Sequence, residues 1–190
     1  MKLLAILAVG GLMPAAAALA DGDPAAGRQV AGMCRTCHGL DGYAAIPIAP
    51  HIGGEPAAYL AQQLEAFRSG ERVHEMMSVV AASLSDQQIA DVSAWYASHV
   101  ATAAHSGNPA EAPMDCAGCH GEDGIALIDD APNLAGETNI YIETQLKAFR
   151  SGRREDPIMS EIAAGLDDAT IRALADWYAA STLTITPPEG

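Results

Sequence analysis

Two short stretches of this chain set a pair of thiols and an imidazole at fixed spacing: Cys34-Arg35-Thr36-Cys37-His38 and Cys116-Ala117-Gly118-Cys119-His120. In helical backbone the two thiols of each stretch lie about one turn apart with the imidazole directly after them. This is the pattern of covalent haem c attachment, in which the thiols form thioethers to the porphyrin vinyl groups and the histidine meets the iron as proximal ligand. Other chemistries of four cysteines fit less well. A four-cysteine zinc site brings its pairs together across a short loop, whereas 78 residues intervene here. A thioredoxin-like dithiol wants a βαβ setting, and two disulfides, ordinary in an exported chain, do not account for the spacing.

An iron dedicated to electron transfer needs a sixth ligand, and Met77 and Met159 are the candidates, each 39 residues beyond its motif histidine. A methionine is more often core filling than a ligand. Here the residue recurs at one offset while its neighbours, Val73 to Met76 against Glu155 to Ile158, diverge. Met76 competes with Met77 by adjacency, but its counterpart Ile158 cannot ligate. His51, His74, His99 and His105 have no histidine counterparts and read as surface or core residues, with His74 the nearest of them to a candidate ligand. Histidine–methionine ligation raises the potential and closes the iron to substrate, which favours one-electron transfer over catalysis such as peroxidase chemistry.

The elements that position these groups come from a duplication. Shifting the chain by 82 positions superposes the two motifs and continues without a gap, with about half the aligned pairs identical. Tyr59, Gln63, Leu64, Phe67, Arg68, Gly70 and Arg72 meet Tyr141, Gln145, Leu146, Phe149, Arg150, Gly152 and Arg154, and Trp95 and Tyr96 meet Trp177 and Tyr178. Two similar domains follow: 21–100 and 113–190, joined by a linker over 101–112 that contains Gly107 and Pro109. Each reads as all-α. Asp23-Pro24 starts one helix; Tyr59, Leu60, Gln63, Leu64 and Phe67 lie on another that Gly70 ends; Ser85 with Gln88 opens a third as a capping box. No alternating strand pattern persists between them. A domain of about 80 residues has little core of its own, and a large apolar cofactor at its centre supplies one.

Residues 1–20 read as a secretory signal, with Lys2, the apolar stretch Leu3 to Met13 and a cleavage site at Ala18-Leu19-Ala20. Cleavage near Ala20 gives a soluble periplasmic chain with no membrane span; an uncleaved anchor is the rival reading. Without Lys2 the chain has nine basic against 24 acidic side chains, unsuited to nucleic acid or anionic lipid. The second half is twice as negative as the first, either as a solvated face or as a patch for a basic partner.

Together the haem motifs, the Tyr-x-x-x-Gln-Leu-x-x-Phe-Arg-x-Gly-x-Arg stretches and the later methionines resemble the di-haem cytochrome c4 family, two fused class I cytochrome c domains. The resemblance implies two covalently bound haem c groups, with His38 and Met77 on one iron and His120 and Met159 on the other. It also implies that the carbonyls of Pro50 and Pro132 accept hydrogen bonds from the proximal imidazoles. Arg68, Arg72, Arg150 and Arg154 either neutralise haem propionates or remain solvated helix-end charges. The partners it implies are redox proteins: a quinol-oxidising cytochrome complex and a terminal oxidase, or alternatively a periplasmic dehydrogenase such as a flavocytochrome c sulfide dehydrogenase, of which the chain would be the electron-accepting subunit. One departure stands out. The second domain lacks sequence for the opening helix that residues 23 to 37 supply in the first, so that edge is either open or covered by the first domain or the tail after Thr182.

Overall fold

A computed structural model describes residues 21–107 and 113–189. The expected signal segment and the end of the expected linker, 108–112, lie outside the described residues. The first unit runs α1 (Pro24–Val30), a 3-10 turn (Ala31–Met33), α2 (Arg35–His38), α3 (Ala57–Ser69), α4 (Met77–Ala82), α5 (Asp86–Ala97) and β1 (Val100–His105). The second runs α6 (Met114–His120), α7 (Asn139–Arg150), α8 (Met159–Ala164), α9 (Asp168–Ala179) and β2 (Ser181–Thr186). Side chains fix the helix starts. Asp23 caps α1 ahead of Pro24, Ser85 and Gln88 form the reciprocal box on α5, and Thr138 and Asp167 cap α7 and α9.

Each unit has a small core where its long middle helix crosses its last one. Leu60, Val92, Trp95 and Tyr96 form the first, with Cys34 packed at its margin. Ile142, Leu146, Ile171, Ala175 and Tyr178 form the second, with Cys116 and Met159 at its margin.

Both units are helical as expected, but the stretch expected as linker from 101 begins as a strand. β1 and β2 pair antiparallel from Val100 opposite Thr186 to His105 opposite Ser181, and the repeat-related Thr102 and Thr184 face each other. The ribbon's centre therefore lies on the pseudo-twofold axis relating the halves. Alternation was present in Thr182-Leu183-Thr184-Ile185-Thr186, whose apolar members point inward. β1, with three alanines, has weak strand propensity of its own and takes its form from the partner strand. Gly54 and Gly136, both at positive φ, let the loops before α3 and α7 lie against the ribbon: a Cβ on Gly54 would come within 2.5 Å of the Ala101 Cβ, and one on Gly136 within 2.7 Å of that of Leu183.

The halves grip each other reciprocally beside this ribbon. The His51 N–H donates to Glu137 Oε1 at 2.7 Å, its Nε2 bonds the Gly136 carbonyl, and its Nδ1 accepts from the Ala44 N–H. At the equivalent place the Asn133 N–H donates to Glu55 Oε2 at 2.9 Å, its Nδ2 donates to the Gly54 carbonyl, and its Oδ1 accepts from the Ala126 N–H. A neutral imidazole protonated on Nε2 thus does in one half what a carboxamide does in the other. Further out, Arg72 donates to Gln63 and Gln145, and Arg154 donates to the same two side chains and to the Tyr59 hydroxyl. Each guanidinium also lies 4.4 Å from a ring centroid, Phe67 and Phe149 respectively. The carboxamides of both halves thus hold Arg72 and Arg154.

The last helices differ in what covers them. In the first unit α1 crosses α5, Trp95 Nε1 donates to the Leu40 carbonyl at 2.9 Å, and the Tyr96 hydroxyl donates to Gly39 at 3.2 Å. Both bonds tie α5 to the exit of the first haem motif. In the second unit α6 starts directly at the motif, and Trp177 Nε1 and the Tyr178 hydroxyl are buried without a partner among the described residues. His105, at the end of β1, stacks on Trp177 with centroids 4.0 Å apart and bonds the Trp177 carbonyl through Nε2. Among the described residues, the end of β1 thus covers the Trp177 face of that edge.

Two outcomes are expected. Trp95→Phe loses a bond and strands the Leu40 carbonyl, lowering stability by about 1 kcal/mol, whereas Trp177→Phe costs less than about 0.5 kcal/mol; urea unfolding of each variant measures both. Burial pushes the Glu55 carboxyl up to about 8, so the folded chain keeps a proton that the unfolded chain releases. The stabilisation this gives is complete below the ordinary carboxylate range and is lost as pH rises through about 8. The melting temperature of the wild type is accordingly expected to fall relative to that of Glu55→Gln over this range.

Candidate haem sites

α2 and α6 are short turns whose ends are fixed by glycines at positive φ, Gly39 and Gly121, and each ends on its motif histidine. His38 and His120 are 8% and 6% exposed. Their Nδ1 atoms lie 2.9 Å and 2.8 Å from the carbonyl oxygens of Pro50 and Pro132. Burial pushes both imidazoles down from the ordinary histidine range. The ring is therefore neutral, Nδ1 carries the proton to the carbonyl, and the Nε2 lone pair is left for a metal. Among the described residues neither Nε2 has a hydrogen-bond partner.

Burial also pushes the Cys34 and Cys116 thiols up, which disfavours the thiolate a redox dithiol needs. Among the described residues no three His, Cys, Asp or Glu side chains converge to hold an ion. Each cysteine pair sits beside its own core cluster.

Met77 and Met159 are the first residues of α4 and α8, and a capping device that sequence reasoning missed fixes both. Asp156 Oδ1 accepts from the N–H groups of Ile158 and Met159, while the Asp156 N–H donates to Ser160 Oγ. His74 does the same in the first unit: its Nδ1 accepts from Met76 and Met77, and its N–H donates to Ser78 Oγ. The signal was available at the 82-residue offset, which aligns His74 with Asp156 and Ser78 with Ser160. Met76, beside Met77, is 59% exposed.

Arg68 and Arg150, expected either as propionate partners or as solvated helix-end charges, are both bonded to the turn that follows them. Arg68 donates to the Leu84 carbonyl and pairs with Asp86 at 2.7 Å; Arg150 donates to the Leu166 carbonyl and pairs with Asp168 at 2.6 Å. Each guanidinium joins the end of the middle helix to the start of the last one, satisfying a loop carbonyl that the turn leaves open. Of the other histidines, His51 and His105 serve the domain contact and the Trp177 cover, and His99 is buried with Nδ1 2.9 Å from the Trp95 carbonyl.

The donors present fit haem c. Each half offers two thiols one turn apart, a neutral imidazole with a free Nε2 and a fixed methionine, beside a core too small to close by itself. The bound group would supply a one-electron iron couple; the protein supplies its attachment, its ligand field and its exclusion from water.

Comparison with known proteins agrees. The cytochrome c family model matches residues 24–99, and the model for cytochrome c oxidase, cbb3-type, subunit III matches residues 109–177. The chain is 32% identical to cytochrome c4 of Pseudomonas aeruginosa over 93% of its own length and 94% of that protein. It is also 32% identical to a thiosulfate dehydrogenase electron acceptor of Thiomonas intermedia, over 97% of its own length and 93% of the relative. Reduced recombinant cytochrome c4 from Pseudomonas stutzeri superposes with a TM-score of 0.74 at 29% identity, covering 84% of this chain and 98% of that one. The chain therefore belongs to the cytochrome c4 family and is an electron-transfer protein of two fused cytochrome c domains, each with a covalent haem c.

Proposed function

We propose that the protein is exported, cleaved near Ala20, and carries single electrons in the periplasm from a quinol-oxidising cytochrome complex to a terminal oxidase or similar acceptor. In this reading Cys34 and Cys37 hold the first haem with His38 and Met77 on its iron, and Cys116 and Cys119 hold the second with His120 and Met159. What supports it is the occurrence, in both halves, of a neutral histidine held through Nδ1 and of a methionine at a helix start pinned by a side-chain cap. Two such ligands close the iron and favour its reduced state, which suits rapid transfer with little rearrangement and leaves no position for substrate. Among the described residues no helix is long and apolar enough to cross a membrane.

A second reading is favoured by the Thiomonas intermedia relative: the protein accepts electrons as the fixed partner of a periplasmic dehydrogenase. Purification from native periplasm and membranes separates the two. A shuttle emerges alone and is oxidised quickly by an oxidase, whereas a fixed acceptor emerges with a larger catalytic chain. A peroxide turnover well above that of free haem would remove both.

The ligands have their own test. Met77→Ala and Met159→Ala are each expected to abolish about half of the near-infrared sulfur-to-iron absorption of the oxidised protein, since each removes one of two thioether ligands. If Met77→Ala leaves the band whole, the first iron takes another ligand.

A further inference from the structure

The carbonyl that accepts from each haem histidine and the N–H that bonds the opposite domain's glutamate belong to one peptide unit. Pro50 contributes the carbonyl and His51 the N–H, so the path runs His38 Nδ1–H to Pro50 oxygen, then His51 N–H to Glu137 Oε1, at 2.9 Å and 2.7 Å. Pro132 and Asn133 form the mirror path from His120 to Glu55 Oε2, at 2.8 Å and 2.9 Å. We propose that Glu137 tunes the haem held by the first domain and Glu55 the haem held by the second, each acting across the domain interface through a single peptide unit. The inference rests on the reading of His38 and His120 as iron ligands.

Successive hydrogen bonds through one amide polarise one another, and a low-dielectric setting strengthens the effect. A carboxylate in place of a carboxylic acid at the far end draws harder on the N–H and enriches the carbonyl oxygen. The carbonyl then draws harder on the Nδ1 proton and makes the imidazole a stronger donor at Nε2, which stabilises oxidised iron and lowers its potential. The glutamates are placed to change charge state. They are 4% and 2% exposed, and Glu137 Oε2 is buried with no partner among the described residues, so an ionised carboxylate there leaves an oxygen bare. The groups facing them give no stabilising cation. Glu137 meets Glu55, the His51 backbone and neutral imidazole, and the Thr138 N–H; Glu55 meets Glu137, the Asn133 N–H and Tyr59, and Arg154 spends its guanidinium on Tyr59 and the two carboxamides. Burial raises both carboxyls, Glu55 to about 8 and Glu137 well above its ordinary value.

The two positioning residues can be read apart in the holoprotein, with the potential of each haem followed by spectroelectrochemistry and the haems told apart by their NMR methyl resonances. In the wild type the second haem's potential falls as pH rises through about 8, by about tenfold in its one-electron equilibrium, which is ~59 mV. Glu55→Gln, which keeps an acceptor oxygen and cannot ionise, removes that fall from the second haem and leaves the first as it was. Glu137→Gln flattens the first haem's response alone. Equal shifts of both haems, a shift of the wrong haem, or flat wild-type potentials across this range overturn the proposal. The axial absorption of each sample separates this from failure of the ligand reading: unchanged bands with unmoved potentials sink the relay and leave the ligands, whereas a wild-type spectrum without histidine ligation sinks both. The wild-type titration needs no variant, so a poorly folding Glu137→Gln does not shelter the idea.

Discussion

Each half of this protein is too small to be sealed by its own side chains. About 80 residues forming a few short helices bury too little apolar surface to stand alone, and the clusters around Tyr96 and Tyr178 are correspondingly thin. Two devices answer the deficit. A flat apolar macrocycle attached at each motif would fill the centre of its half, and each half bonds the loop of the other. Most polar detail follows from the second device. Backbone left bare where the loops leave the haem motifs finds its partners in the opposite domain, which is why a loop N–H at His51 ends on Glu137 and one at Asn133 on Glu55.

Whatever depends on covalent chemistry or helical period was legible in the sequence. The haem motifs, the duplication, the helix that ends at Gly70 and the box between Ser85 and Gln88 are local patterns, and local patterns survive folding. What escaped is what two distant segments make together. β1 is an alanine-rich stretch that forms a strand only against β2, so its own composition reads as a linker. His51 and Asn133 share no obvious chemistry until a common geometry shows that each offers one donor and one acceptor at the same points. His74 and Asp156 are related in the same way, as acceptors at the start of a methionine helix. Four guanidinium groups at helix ends look alike in the sequence, and only their neighbours show that two bond across the domains and two brace a turn.

The halves are related but not equivalent. In the first, α5 is tied to the motif exit by Trp95 and Tyr96 and overlaid by α1; in the second, a stacked His105 replaces the overlay, and the corresponding side-chain bonds are not made among the described residues. The same motif residues are thus held in unequal surroundings in the two halves.

The facing of Thr102 and Thr184 on the pseudo-axis has a further meaning. Residue i touches the equivalent of residue j while j touches the equivalent of i, the self-complementary contact of a two-fold homodimer. A surface of this kind fits an ancestor in which separate copies of one unit met face to face, each supplying the strand and the acid the other lacked. Within a single chain such a contact no longer depends on concentration. Its two equivalent positions are also free to differ, and a histidine stands in one half where an asparagine stands in the other.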